Sequence, residues 1–169
     1  MLHHKVPIIV DIEASGFGPK SYPIEVGIAL SNGTRFCRLI KPEPNWQSWS
    51  AEAEALHGIS RETIEQRGVS AIQVANELND LLDGKIIYSD GWVVDEPWLI
   101  TLFSCVGITR KFVMYDIMTI MSESGLELWH RAKEEILSSH DQARHRASFD
   151  AMVVQETYLK VSNIQEMMS

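Results

Sequence analysis

Apolar positions in the first forty residues fall into short runs, residues 6–12, 24–30 and 35–40. These are broken by the turn formers Gly16-Phe17-Gly18-Pro19 and Ser31-Asn32-Gly33. Runs of this length between turns predict three strands, and the Asn-Gly step predicts a hairpin that makes the second and third antiparallel. After Lys41-Pro42-Glu43-Pro44 the pattern changes to a Trp-containing loop and an Ala/Glu segment over 50–56, a short helix ending before Gly58. Over 70–82, Ala71, Val74, Ala75, Leu78, Leu81 and Leu82 recur at helical spacing and form one apolar face. Residues 85–88 predict a fourth strand, and Trp98, Leu99, Leu102, Phe103 and Val106 a helix. Residues 111–115 predict a fifth strand and 126–137 a helix, with a last helix through Ala147, Ala151, Val154, Tyr158 and Val161. Three leading strands, then helices alternating with two more strands, predict an α/β fold with a mixed five-stranded sheet flanked by helices.

A chain of 169 residues with 45% apolar content suits a single domain over 1–169 and excludes disordered and collagen-like classes. No run is apolar enough to cross a bilayer, and the start of the chain lacks the apolar region and cleavage site of a signal peptide, so the expected location is cytoplasmic. Cys37 and Cys105 lie far apart among apolar residues and are expected to be buried thiols. The net charge of −8 disfavours tight, non-specific duplex binding, which draws on Lys and Arg. It does not disfavour an acidic site that carries divalent cations, because the metal reverses the local field.

Asp11 and Glu13 stand two residues apart at the end of the first strand, so both side chains share one face of the sheet. Two carboxylates there repel unless a cation lies between them, and open sheets place ligands at such strand ends. His145 precedes Asp150 by five residues, about 500° of helical rotation, so the two do not share a helical face. If they cooperate, His145 must lie on the loop or first turn entering the last helix. Asp95 lies ahead of the Trp98 repeat, where an N-cap role before Pro97 is the simpler reading. Of the basic groups, Arg144 and Arg146 flank these residues. Arg131 and Lys133 mix with Glu127, Glu134 and Glu135 on one solvated helix face. Walker A, nucleophile-elbow, His-Glu-x-x-His and Cys-x-x-Cys signatures are absent.

Taken in order, Asp11-x-Glu13, Asp95 and His145-x-x-x-x-Asp150 resemble the DEDD superfamily of 3′-to-5′ exonucleases, the DnaQ-like group, and within it the DEDDh branch. The supporting matches are Ala14-Ser15-Gly16-Phe17, Pro23-Ile24-Glu25-Val26-Gly27, Leu56-His57-Gly58-Ile59-Ser60 and Tyr115-Asp116-Ile117. The resemblance implies a ribonuclease H-like fold and hydrolysis of DNA or RNA from 3′ ends, short or single-stranded ends favoured. It also implies two Mg²⁺ or Mn²⁺ ions on Asp11, Glu13, Asp95 and Asp150, with His145 as general base. Ser15, Gly16, Phe17 and His57 are the implied contacts to the terminal nucleotide, and some relatives are homodimers. The chain departs from the family pattern at Ser89-Asp90 and Val94, where relatives often carry Asn and an aromatic residue. Asp90 is therefore the competing candidate for Asp95, which is preferred because Pro97-Trp98-Leu99 and the helical repeat follow it. A nuclease-like binding subunit without turnover is the rival expectation, and a phosphoesterase for small nucleotides is a second.

Overall fold

The computed structural model describes residues 5–140 and 145–168. Five strands form one sheet: β1 (Ile8–Ala14), β2 (Pro23–Ala29), β3 (Arg35–Leu39), β4 (Ile86–Ser89) and β5 (Val113–Asp116), in the order β3-β2-β1-β4-β5. β1 pairs antiparallel with β2, and β2 with β3, whereas β4 runs parallel to β1 and to β5. This is the mixed five-stranded α/β sheet expected from the pattern, with the hairpin at Ser31-Asn32-Gly33 where the Asn-Gly step predicts it.

The helices are α1 (Ala51–His57), α2 (Arg61–Arg67), α3 (Ala71–Leu82), α4 (Trp92–Cys105), α5 (Glu123–Ser139) and α6 (Ala147–Met168), with a 3-10 turn at Ile117–Ile120. Strand alternation sorts the core into two layers. Val10, Ile12, Ile24, Val26 and Ile28 pack with Val74 and Leu78 of α3 and Leu99 and Leu102 of α4. Ile9 and Ala29 pack with Trp129 of α5 and with Ala151, Val154 and Val161 of α6. Odd-numbered positions of β1 therefore face α5 and α6, which puts Asp11 and Glu13 on that side.

Local chemistry sets most boundaries. α1 starts after Ser50, whose side chain accepts from Ala53 N at 3.2 Å, and stops at Gly58, left-handed at φ 67. Ser60, Ser70 and Ser122 cap α2, α3 and α5 in the same way. Three expectations are corrected. α2 was not expected: its segment is charge-rich, and Ile64 is its one buried residue. α4 starts at Trp92, ahead of the predicted repeat, with Gly91 as N-cap and Pro97 inside it. Proline there removes a single backbone donor, and packing of Leu99, Leu102 and Phe103 outweighs the loss. Cys105, the last residue of α4, is exposed, and Cys37, on the edge strand β3, is only half-buried; both thiols are free. No helix among the described residues is long and apolar enough to cross a membrane.

Candidate active site

β1 brings Asp11 and Glu13 to its C-terminal end on the face that α6 covers, opposite Gly27 and Glu25 of β2 respectively. The chain then turns through Ser15, which is fully buried and tied down on every side. Its N–H donates to Tyr22 O at 2.9 Å, its carbonyl accepts from Ser50 N at 2.8 Å, and its Oγ accepts from Tyr22 N at 3.1 Å. Ser15 thus braces the loop from within. Gly16 is also buried, and a Cβ there would come within 3.3 Å of the Ser50 Cβ. Phe17 follows with 68% of its surface exposed, an apolar ring held out over the loop.

Asp95 reaches the strand end from the other layer. It lies in the first turn of α4 rather than at the N-cap, which is Gly91, so the capping reading is corrected. Its carboxylate is buried and accepts a hydrogen bond from Ser89 Oγ. Burial pushes it up to about 7, helped by Asp90 and Glu13 and opposed by the Ser89 hydrogen bond. Asp90 forms an ion pair with Lys133 of α5. Of the two competing carboxylates, Asp95 is the one whose charge bears most on Asp11. Lys133 corrects another expectation: it leaves the acidic face of its own helix to reach Asp90.

α6 supplies the remaining pair. Asp150 sits in its first turn, and Asp150 N donates to Arg146 O at 3.0 Å. His145 stands outside the helix with φ 65, a left-handed conformation that non-glycine residues seldom adopt. The left-handed step brings together two residues that a continuous helix would hold on different faces. One ligand atom each from Glu13, His145 and Asp150 lies within 4.8 Å of the other two.

The field of this cluster is strongly negative. Burial, then the charges of Asp95, Glu13 and Asp150, raise the Asp11 carboxyl well above the usual aspartate range. Glu13 is pushed up to about 7 by burial, then by Asp150 and Glu25, against the relief that Arg146 provides. Hard oxygen donors crowded until they resist ionisation fit a divalent cation.

His57 ends α1 in a buried position, where its Nδ1 accepts from Ile59 N at 3.1 Å. That is the helix-capping role. Its Nε2 is buried, and burial lowers the pKa of the ring against the opposing influence of the Ala14 backbone. The basic groups are mostly engaged: Arg110 grips Glu96 through two bonds of 2.7 Å, Arg131 pairs with Glu135 at 3.0 Å, and Arg146 holds Glu25. Arg144 lies outside the described residues. The parts played by Glu25, Ser89 and Lys133 do not follow from sequence pattern alone. A lone charge in the otherwise apolar Pro23–Ala29 strand is the signal that marks Glu25.

The sequence matches no family model, and no curated protein matches it. Solved structures do match. E. coli exonuclease I in complex with a dT13 oligonucleotide superimposes with a TM-score of 0.74 at 13% identity, over 95% of this chain and 42% of that one. The zinc-bound form of the E. coli exonuclease I complex with single-stranded DNA gives 0.67 at 11% identity, over 96% and 40%. Exonuclease I from Methylocaldum szegediense gives 0.69 at 13%, over 90% and 40%. The chain spans about two fifths of the length of these exonuclease I chains. The fold is therefore the ribonuclease H-like one of exonuclease I, as expected from the sequence.

Proposed function

We propose that the chain is a single-domain, metal-dependent 3′-to-5′ exonuclease of DEDDh type. It would cut DNA or RNA from the 3′ end, short or single-stranded ends favoured, and release nucleoside 5′-monophosphates. The observation that carries this reading is the convergence of Glu13, His145 and Asp150 within 4.8 Å, beside Asp11 and Asp95, at the end of the central strand of an exonuclease I fold. Two of the solved neighbours are complexes with a dT13 oligonucleotide and with single-stranded DNA, which supports a nucleic-acid substrate.

Asp11, Glu13, Asp95 and Asp150 would hold two Mg²⁺ or Mn²⁺ ions. Such cations supply neutralisation of the phosphoryl oxygens and a water of lowered pKa. His145 accepts the proton of the attacking water, a task suited to an imidazole. Its place outside the helix leaves its ring adjacent to Glu13 and Asp150. Phe17 offers the terminal base an exposed ring, and stacking on a ring tolerates any base. Ser15 braces the loop that carries that ring and Gly16 lies close against Ser50, and Ser15, Gly16 and His57 would complete the contacts to the terminal nucleotide.

The test is a gel assay on 5′-labelled single-stranded DNA and RNA oligomers, with Mg²⁺, Mn²⁺ or EDTA, beside the Asp11→Asn variant. The expected result is a metal-dependent ladder shortening from the 3′ end and lost in the variant. Absence of cleavage under every condition would overturn the proposal and favour the binding-subunit reading.

A further inference from the structure

Glu25 takes no part in the chemistry above, yet its carboxylate has no solvent exposure at all and stands in a strand whose seven residues are all buried. A charge in such a place is costly unless every lone pair is met. Here the partners come almost entirely from the start of α6. Arg146 Nε donates to both carboxylate oxygens, at 3.2 and 3.1 Å, and its Nη2 to Oε1 at 2.6 Å. Ala147 N, the first backbone donor of α6, reaches Oε2 at 2.9 Å. Cys37 Sγ adds a weak donor at 3.4 Å from β3.

Two residues further along β2, on the same face, is Gly27. A Cβ there would lie 2.0 Å from Ser148 N and 2.1 Å from Ala147 C, so the first turn of α6 rests directly on the backbone of β2. Glycine sets how close the helix comes, and Glu25 sets where along the strand it begins. Across the ladder, Glu25 faces Glu13 and Gly27 faces Asp11. The strand that receives α6 is thus in register with the strand that carries the acidic pair. His145 is the residue before Arg146, and Asp150 is one turn beyond it.

We propose that Glu25, acting through Arg146 and Ala147 N, is the positioning residue of the His145–Asp150 limb. It locks the entry of α6 to the β1–β2 ladder so that the left-handed His145 meets Glu13 and Asp150. Its activity readout rests on the exonuclease reading; its geometric readout does not. A purely structural role would lower the melting temperature and leave the surviving folded molecules fully active.

The experiment uses the full chain and compares wild type with Glu25→Gln, Arg146→Lys, Arg146→Ala and Cys37→Ala. Glu25→Gln keeps shape and one acceptor but loses the charge. Lysine keeps the charge of Arg146 but not its two-pronged grip. The first measurement, without metal, is the nuclear Overhauser effect between the His145 ring protons and the Glu13 side chain. It is expected to be strong in wild type and Cys37→Ala, mostly lost in Glu25→Gln, and weaker in Arg146→Ala than in Arg146→Lys. The second is kcat and KM on a 5′-labelled oligonucleotide, corrected for folded fraction. There Glu25→Gln should lose about 10–100-fold in kcat with KM held within about threefold, the scale of a small misplacement of a reacting group.

Wild-type strength of the effect in folded Glu25→Gln, or its absence in wild type, would overturn the proposal, as would a lowered melting temperature with unchanged kcat. Should Glu25→Gln not fold, the order wild type, Arg146→Lys, Arg146→Ala decides, and equal effects across the three count against it. Failure of the exonuclease reading looks different: no chain cleaves, wild type included, while the His145–Glu13 effect still separates wild type from the variants.

Discussion

In the proposed mechanism His145 is the residue on which chemistry and conformation meet. Holding a β-carbon at φ 65 costs on the order of 1–3 kcal/mol, and the surrounding contacts must supply it. Glycine takes this conformation without strain, and asparagine more readily than most residues. His145→Gly is therefore expected to fold at least as stably as His145→Ala, with a higher melting temperature in a side-by-side melt. A lower one would argue against the left-handed conformation. Both variants should lose about 10²–10⁴-fold in kcat, the contribution of a positioned base, with Mn²⁺ affinity by calorimetry retained. Turnover equal to wild type in either would remove His145 from the mechanism. His145 and Asp150 were legible in the sequence as a spaced pair, and the need for a break ahead of the helix followed from helical geometry. The left-handed step itself was not legible, because the residues that follow it, Arg146 and Ala147, are held by contacts with a strand more than a hundred residues away.

At the scale of elements, the seat of α6 on β2 decides the geometry of the site. Gly27→Ala would place a methyl group 2.0 Å from backbone, where no side chain can yield. The expected cost is about 3 kcal/mol by denaturant unfolding, the upper end for overpacking. A change below about 1 kcal/mol would show that the helix can ride outward freely. The strands and most helices followed from periodicity and turn chemistry, since β1, β2, α3 and α6 carry strong patterns. α2 and the first turn and a half of α4 did not. Arg61–Arg67 has almost no apolar face, and Trp92-Val93-Val94 ahead of a proline looks unlike a helix start. In both, tertiary packing and a cap outweigh weak local preference.

For the whole molecule, the acidic cluster links stability to pH and to metal. Asp11, Glu13 and Asp95 all bind protons more readily folded than unfolded, Glu13 and Asp95 with values near 7. Their protonation thus favours the folded state. That contribution is complete below the unfolded carboxylate range near 4, and is lost as pH rises through about 7. In EDTA the melting temperature should fall between pH 5 and 8 relative to Asp11→Asn, whose slope should be shallower. Parallel curves for the two chains would contradict the account. Millimolar Mg²⁺ or Mn²⁺ at pH 7.5 should raise the melting temperature of wild type and leave Asp11→Asn unmoved. No shift in wild type would count against a cation site.

The sequence by itself determined the five strands and the hairpin between the second and third, the shared face of Asp11 and Glu13, and the succession of Asp95, His145 and Asp150 along the chain. These depend on the period of two along strands, the turn formers and residue identity, all of which are local. Tertiary structure alone decided which of Asp90 and Asp95 turns toward Asp11, that Lys133 takes the other, that Ser15 is consumed in bracing its loop, and that Glu25 holds α6. Each of these is a pairing between distant segments. Its energy depends on burial and on charges that no local pattern records.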